Sequence, residues 1–163
     1  MPCLSKVIRR VNKAGRVVGL ALRCEGTCGS GQPCRTHDRG DPENLGQILR
    51  FCACPEDIPI PQPDPTTRQN IVRGCRVALR LQRTLQGQLK PADYCCVGAC
   101  EDTEHTECAA VIHETIPLAD GGRQEIIVCR CIDRVESLAL ARTKPTVVAA
   151  KGAAAKKRRR GRG

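Results

Sequence analysis

Residues 24–28 read C-E-G-T-C, and residues 96–100 read C-V-G-A-C. The order of all the other cysteines follows from aligning these two loops. At an offset of 72, Cys3, Cys24 and Cys28 fall on Cys75, Cys96 and Cys100. With small insertions, Cys34 then falls on Cys108, and Cys52 and Cys54 fall on Cys129 and Cys131. Gly15 and Gly26 keep register with Gly87 and Gly98. Both copies therefore read C-x20-C-x3-C, then a fourth cysteine, then C-x-C, which identifies a tandem duplication. The first six-cysteine module spans 1–57 and the second 71–142, with a Pro-rich linker at 58–70 and a basic tail at 143–163. Pro55, Pro59, Pro61, Pro63 and Pro65 withhold backbone donors and favour an extended, semi-rigid spacer. Their P-x-P spacing does not match the P-x-x-P of groove-docking ligands.

Within a copy the pattern is mostly strand, so the fold class is mainly β. KVIRRV, NKAG and RVVGLALRC form a hairpin whose turn ends in Gly15. ILRFCAC and QEIIVCRC are the strands that carry the C-x-C pairs. AVIHETI and RQEIIVC flank the turn PLADGG. RTHDRGDPENLG, polar and punctuated by Gly and Pro, is expected to be loop. VALRLQRTLQ has the composition of a helix, and only its alignment with the first copy makes it strand. DRVESLALAR, with Asp133 as N-cap, is expected to close the fold with a short helix.

Side chains two apart on a strand share a face, so each C-x-C presents two sulfurs together. A glycine inside the x3 loop takes positive φ and folds the loop so that its two sulfurs face that strand. One arrangement therefore joins the loop pair to the strand pair by two disulfides and closes a third between the first and fourth cysteines, among 15 connectivities for six cysteines. C-x3-C followed by C-x-C resembles the cross-linking of the defensin-like, cystine-stabilised αβ family. The resemblance covers the cysteine positions alone, because here the x3 segment holds a glycine and 17 or 20 residues precede the C-x-C.

Zinc is the competing chemistry. Loop and strand pairs would supply four thiolates per copy and hold two ions per chain, and a leaderless chain in a reducing compartment favours metal over disulfide. Three disulfides account for all six cysteines of a copy, whereas zinc leaves Cys3 with Cys34, and Cys75 with Cys108, unexplained. Location follows the chemistry, extracellular or surface-exposed if disulfide-bonded and cytoplasmic if zinc-bound. Cys95 has no counterpart, since position 23 is Arg, and an odd thiol points to an intermolecular bridge, a reactive group or a spare buried cysteine.

The chain has 163 residues, no Trp and two large aromatics, Phe51 and Tyr94. Such a chain builds its core from Val, Ile, Leu and Ala and depends on cross-links. No apolar run approaches the roughly 20 residues of a spanning helix, and Met1–Gly19 lacks the apolar region of a signal peptide. The net charge of +10 is concentrated at the C-terminus, where 143–163 hold eight bases and no acid. That tail is expected to be a disordered arm, with Lys156, Lys157, Arg158, Arg159, Arg160 and Arg162 contacting nucleic acid or another polyanion through counterion release. A solubilising tail is the bland alternative. A basic hairpin at Arg9, Arg10, Lys13 and Arg16 is the other place such contact could lie.

Catalytic signals are weak. His37, His105 and His113 lie where the copies differ most, and no nucleophile stands apart from the cysteine framework. Glu101, Asp102, Glu104 and Glu107 with His105 read as a solvated loop before a cation site. Arg39-Gly40-Asp41 reads as a turn, and GTCGSGQPC lacks the Lys and helix of a phosphate loop. The sequence therefore describes a non-enzymatic structural or interaction protein of two disulfide-stabilised β modules with a basic tail. A protein partner or self-assembly is expected, and no membrane span. The alternative is an intracellular tandem zinc module associated with nucleic acid.

Overall fold

A computed structural model describes residues 3–41, 43–58, 72–136 and 138. The hydrophobic pattern resolves into eight strands: β1 (Leu4–Val11), β2 (Val17–Glu25), β3 (Arg35–Gly40), β4 (Gln47–Ala53), β5 (Arg76–Arg83), β6 (Leu89–Val97), β7 (Thr106–Pro117) and β8 (Arg123–Asp133). The mainly β expectation holds. Gly15 and Gly87 close the β1–β2 and β5–β6 turns at φ 86° and 83°, where a Cβ would be strained.

The strands form two antiparallel sheets, ordered β2-β1-β8-β7 and β3-β4-β5-β6. Each sheet takes one hairpin from the first six-cysteine stretch and one from the second. β1 pairs with β8 from Val7↔Ile127 to Val11↔Arg123. β4 pairs with β5 from Gln47↔Gln82 to Phe51↔Ala78. The two stretches are thus distinct in sequence and interleaved in space. Pro59, Pro61, Pro63 and Pro65 lie outside the described residues, but the ends of that segment meet. The Arg73 N–H donates to the Asp57 carbonyl at 2.6 Å, and Arg76 reaches the Cys52 carbonyl at 2.7 Å.

RTHDRG, expected as loop, is instead the edge strand β3, paired from Arg35↔Ala53 to Gly40↔Ile48. Its backbone partner is apolar β4, and its Asp38 and His37 side chains find partners on that strand. Arg50 grips Asp38 with two hydrogen bonds of 2.7 and 2.9 Å, and His37 stacks on Phe51 with ring centroids 6.2 Å apart. A charged edge also resists pairing with other chains.

One core lies between the sheets, built on Val7, Val77, Leu79, Leu81, Ile127 and Cys129. A second covers the outer face of the β3-β4-β5-β6 sheet, where Leu49, Phe51, Ala53, Ala78 and Val97 pack with Val72 and Ile58. β5 therefore faces apolar surroundings on both sides, and this removes the alternation that distinguishes a half-buried strand from a helix. After β8, residues 134–136 and 138 are helical, and Asp133 caps them by accepting the Val135 N–H at 2.8 Å. The rest of that segment and the basic tail at 143–163 lie outside the described residues.

Two substitutions test these contacts. Phe51→Ala empties the centre of the outer core and is expected to cost about 3–5 kcal/mol, read from the denaturant midpoint under non-reducing conditions. Gly98 sits at φ 89°, and a Cβ there would overlap the Gly74 carbonyl. Gly98→Ala should therefore destabilise by at least about 1 kcal/mol, whereas Gly40→Ala, in open space at ordinary φ, should change the midpoint little.

Candidate functional site

Twelve cysteines form six disulfides, and each half carries the same three. Cys24 joins Cys52, Cys28 joins Cys54 and Cys3 joins Cys34. Cys96 joins Cys129, Cys100 joins Cys131 and Cys75 joins Cys108. The x3 loop faces the C-x-C strand because Gly26 and Gly98 adopt φ of 105° and 89°, and neither loop is helical. Cys24–Cys52 joins β2 to β4 and Cys96–Cys129 joins β6 to β8, each fastening one sheet to the other, while the remaining bridges have at least one end in a loop; Cα atoms are 5.3–5.8 Å apart throughout. No bridge joins one half to the other. Neighbouring bridges crowd together, so that the sulfurs of Cys24, Cys34 and Cys52 lie within 4.8 Å of one another, as do those of Cys75, Cys100 and Cys131. Cys24, Cys52, Cys100 and Cys131 in these clusters are among the donors the zinc alternative would use. Bonded in pairs, they carry no thiolate charge for a cation. Cys95 takes part in no disulfide and packs half-buried against the outer core of Phe51 and Val97.

The second feature is a polar group between the sheets. Ser5, Val7, Arg9 and Val11 alternate inward on β1, so Arg9 enters the core in phase with two valines and is 3% exposed. Opposite it on β8 stands Glu125, 4% exposed. Arg9 Nε donates to Glu125 Oε1 at 2.7 Å, and Arg9 Nη1 donates to the Tyr94 hydroxyl at 3.4 Å. The guanidinium carbon lies 5.6 Å from the Tyr94 ring centroid, a cation–π distance. Arg123 Nε donates to the other carboxylate oxygen of Glu125 at 2.9 Å. Burial opposes ionisation of Glu125, but hydrogen bonds from Arg123 and Arg9, with their charges, outweigh it and hold the carboxyl below the usual glutamate range. Burial pushes the Tyr94 hydroxyl up, against the pull of the Arg9 charge.

At the matching place in the β4–β5 ladder stand Ile48 and Leu81. The fold therefore accommodates an apolar pair in one sheet where the other sheet holds Arg9 and Glu125. Beside Arg9 opens a cleft of about 510 Å³, walled by residues 17–20 of β2 and 90–94 of β6. The sequence placed Arg9 in a basic surface hairpin. Its burial removes it from that surface, while Arg10, Lys13 and Arg16 remain exposed or partly so.

The other sequence candidates are occupied locally. Asp102 accepts the N–H groups of Glu104 and His105 at 3.2 Å and the His105 ring at 3.1 Å, so it organises its own loop. His37 contacts the Ala53 carbonyl at 3.2 Å. Asp41 of the Arg-Gly-Asp tripeptide is buried, with Arg80 Nε donating to it at 2.9 Å and the Glu43 N–H at 2.9 Å. Lys156, Lys157, Arg158, Arg159, Arg160 and Arg162 lie outside the described residues.

The bridges predict an intact mass lighter by two protons per disulfide, with Cys95 the one residue alkylated before reduction and all thirteen cysteines alkylated after it. Stoichiometric zinc in the native protein would contradict them. For the polar pair, Arg9→Leu leaves Glu125 buried without its main partner and should cost about 3–5 kcal/mol. Arg9→Leu with Glu125→Ile restores the chemistry of Leu81 and Ile48 and should melt at or above wild type. Because the folded carboxyl lies below its free value of about 4.3, the pair stabilises above that pH, and this contribution is lost as pH falls through the lower folded value. The double variant should therefore show a flatter acid limb in pH-dependent melting. No family model, curated protein or solved structure matches this chain.

Proposed function

We propose that this chain is a non-enzymatic structural or interaction protein, a disulfide-stabilised β sandwich whose basic C-terminal residues contact a polyanion such as nucleic acid. The observation that carries the reading is the commitment of twelve cysteines to six disulfides. Groups that would serve a thiol enzyme or a metal centre are used to hold the fold. Placement of the histidines agrees, since His37 stacks on Phe51 and His105 is tied to Asp102. Such a bridge set suits an oxidising, extracellular or surface-exposed setting. Edge strands β2, β6 and β7 offer backbone groups to a protein partner or a second copy. No helix among the described residues is long and apolar enough to cross a membrane.

The arm and the folded body are separable on this reading. Deleting residues 151–163 should weaken binding to DNA or heparin and flatten its salt dependence, since each phosphate contact adds a slope of about 0.9 in log–log form. The thermal midpoint should not change. An unchanged salt slope would move the contact to Arg10, Lys13 and Arg16 or eliminate it.

A further inference from the structure

The cleft beside Arg9 is the one place among the described residues where a buried charge, an aromatic ring and exposed apolar side chains meet. Its volume of about 510 Å³ falls within the roughly 300–1,000 Å³ of small-molecule sites. Val17 and Val18, 40% and 57% exposed, form its apolar wall with half-buried Leu20 and exposed Pro91 and Ala92. Arg9, 3% exposed, lies at the inner end. A guanidinium has five N–H donors, and Arg9 uses one on Glu125 and one on Tyr94. The remaining donors belong to a side chain that lines the cleft. Glu125 is divided between Arg9 and Arg123, and Asp93 on the cleft wall is held by Arg80 at 2.9 Å, so three guanidinium groups share these two acids. Lys90 adds a second cation to the wall.

The comparison with the other sheet sharpens this. An apolar pair, Leu81 and Ile48, occupies the place equivalent to Arg9 and Glu125, so the sandwich closes without an ion pair there. A buried ion pair is weak support for stability, and replacing one with hydrophobic residues is often neutral. What Arg9 adds to this fold is a fixed, desolvated cation at the end of an apolar cleft.

We propose that this cleft binds a small amphipathic carboxylate, a hydrocarbon chain of medium length whose carboxylate is received by Arg9 while the chain lies along Val17, Val18, Leu20 and Pro91. Charge-assisted hydrogen bonds to guanidinium are among the strongest available to such a group. The ligand is distinct from the polyanion assigned to the tail, and the two sites are independent.

Tyr94 is the only tyrosine, and the chain has no Trp, so its intrinsic fluorescence reports on this cleft alone. Titrating the full oxidised chain with octanoate should give a saturable change in Tyr94 fluorescence, matched by calorimetry. Octanol and octylammonium should bind at least tenfold more weakly. Arg9→Leu with Glu125→Ile should lose octanoate binding at least tenfold while remaining folded. Val18→Asp, at an exposed position, should weaken it comparably without touching the core. Absence of saturable binding to wild type at millimolar octanoate would overturn the proposal, as would equal binding of the alcohol and the ammonium ion. If the double variant failed to fold, the headgroup comparison on wild type and the Val18→Asp variant would still decide.

Discussion

Covalent and hydrogen-bonded links run in different directions through this protein, and the rest of the structure depends on that division. Disulfides act within each half and fasten one sheet to the other. Backbone ladders β1–β8 and β4–β5 act within each sheet and fasten one half to the other. Neither set alone makes a closed sandwich. The chain has few large side chains with which to do so, since Phe51 alone among its residues is a fully buried aromatic. Each bridge closes 26–33 residues and contributes about 2–5 kcal/mol, mainly by restricting the unfolded chain. Cross-links of this kind suit a body whose apolar side chains are mostly of modest size.

Within that frame the two halves are not equivalent, and their differences are concentrated in the polar pairs. Arg9 and Glu125 face Leu81 and Ile48 across the correspondence. In the other direction, Arg50 and Asp38 pair where Ile127 and Ile112 stand opposite each other on β8 and β7. The Arg50–Asp38 pair is partly exposed and contributes little to stability. The Arg9–Glu125 pair is buried, and beside it opens a cleft of about 510 Å³. Core positions that need no charge yet carry one are where a binding role is most economically sought.

Much of the architecture was legible in the cysteines. Spacing, the strand period of two and the glycine in each x3 loop together anticipate which sulfur pairs meet, because these are local rules of backbone geometry. Pairing across halves was not legible, since nothing in a single strand's sequence names its neighbour in the sheet. RTHDRG was misread because its polarity is that of a loop, while its strand form is imposed by β4 and by the Arg50–Asp38 and His37–Phe51 contacts. Arg9 was misread for the opposite reason. Charge alone assigned it to the surface, although the alternation Ser5, Val7, Arg9, Val11 already placed it in the inward phase. The cleft, made by two hairpins distant in sequence, left no local trace.

The clasp between Asp57 and Arg73 bears on how the halves find each other. Since no disulfide crosses between them, each half can complete its own bridges first, and joining the halves is then an association reaction conducted inside one molecule. Being on one chain gives the halves an effective concentration for each other, and a clasp that brings residues 57 and 73 together raises the share of encounters that lead to the correct register. Two chains that exchanged halves would form the same ladders and the same bridges, as in domain swapping. The Asp57–Arg73 clasp biases that competition toward the single chain, so the balance between monomer and exchanged dimer is tuned by two residues that lie outside both sheets.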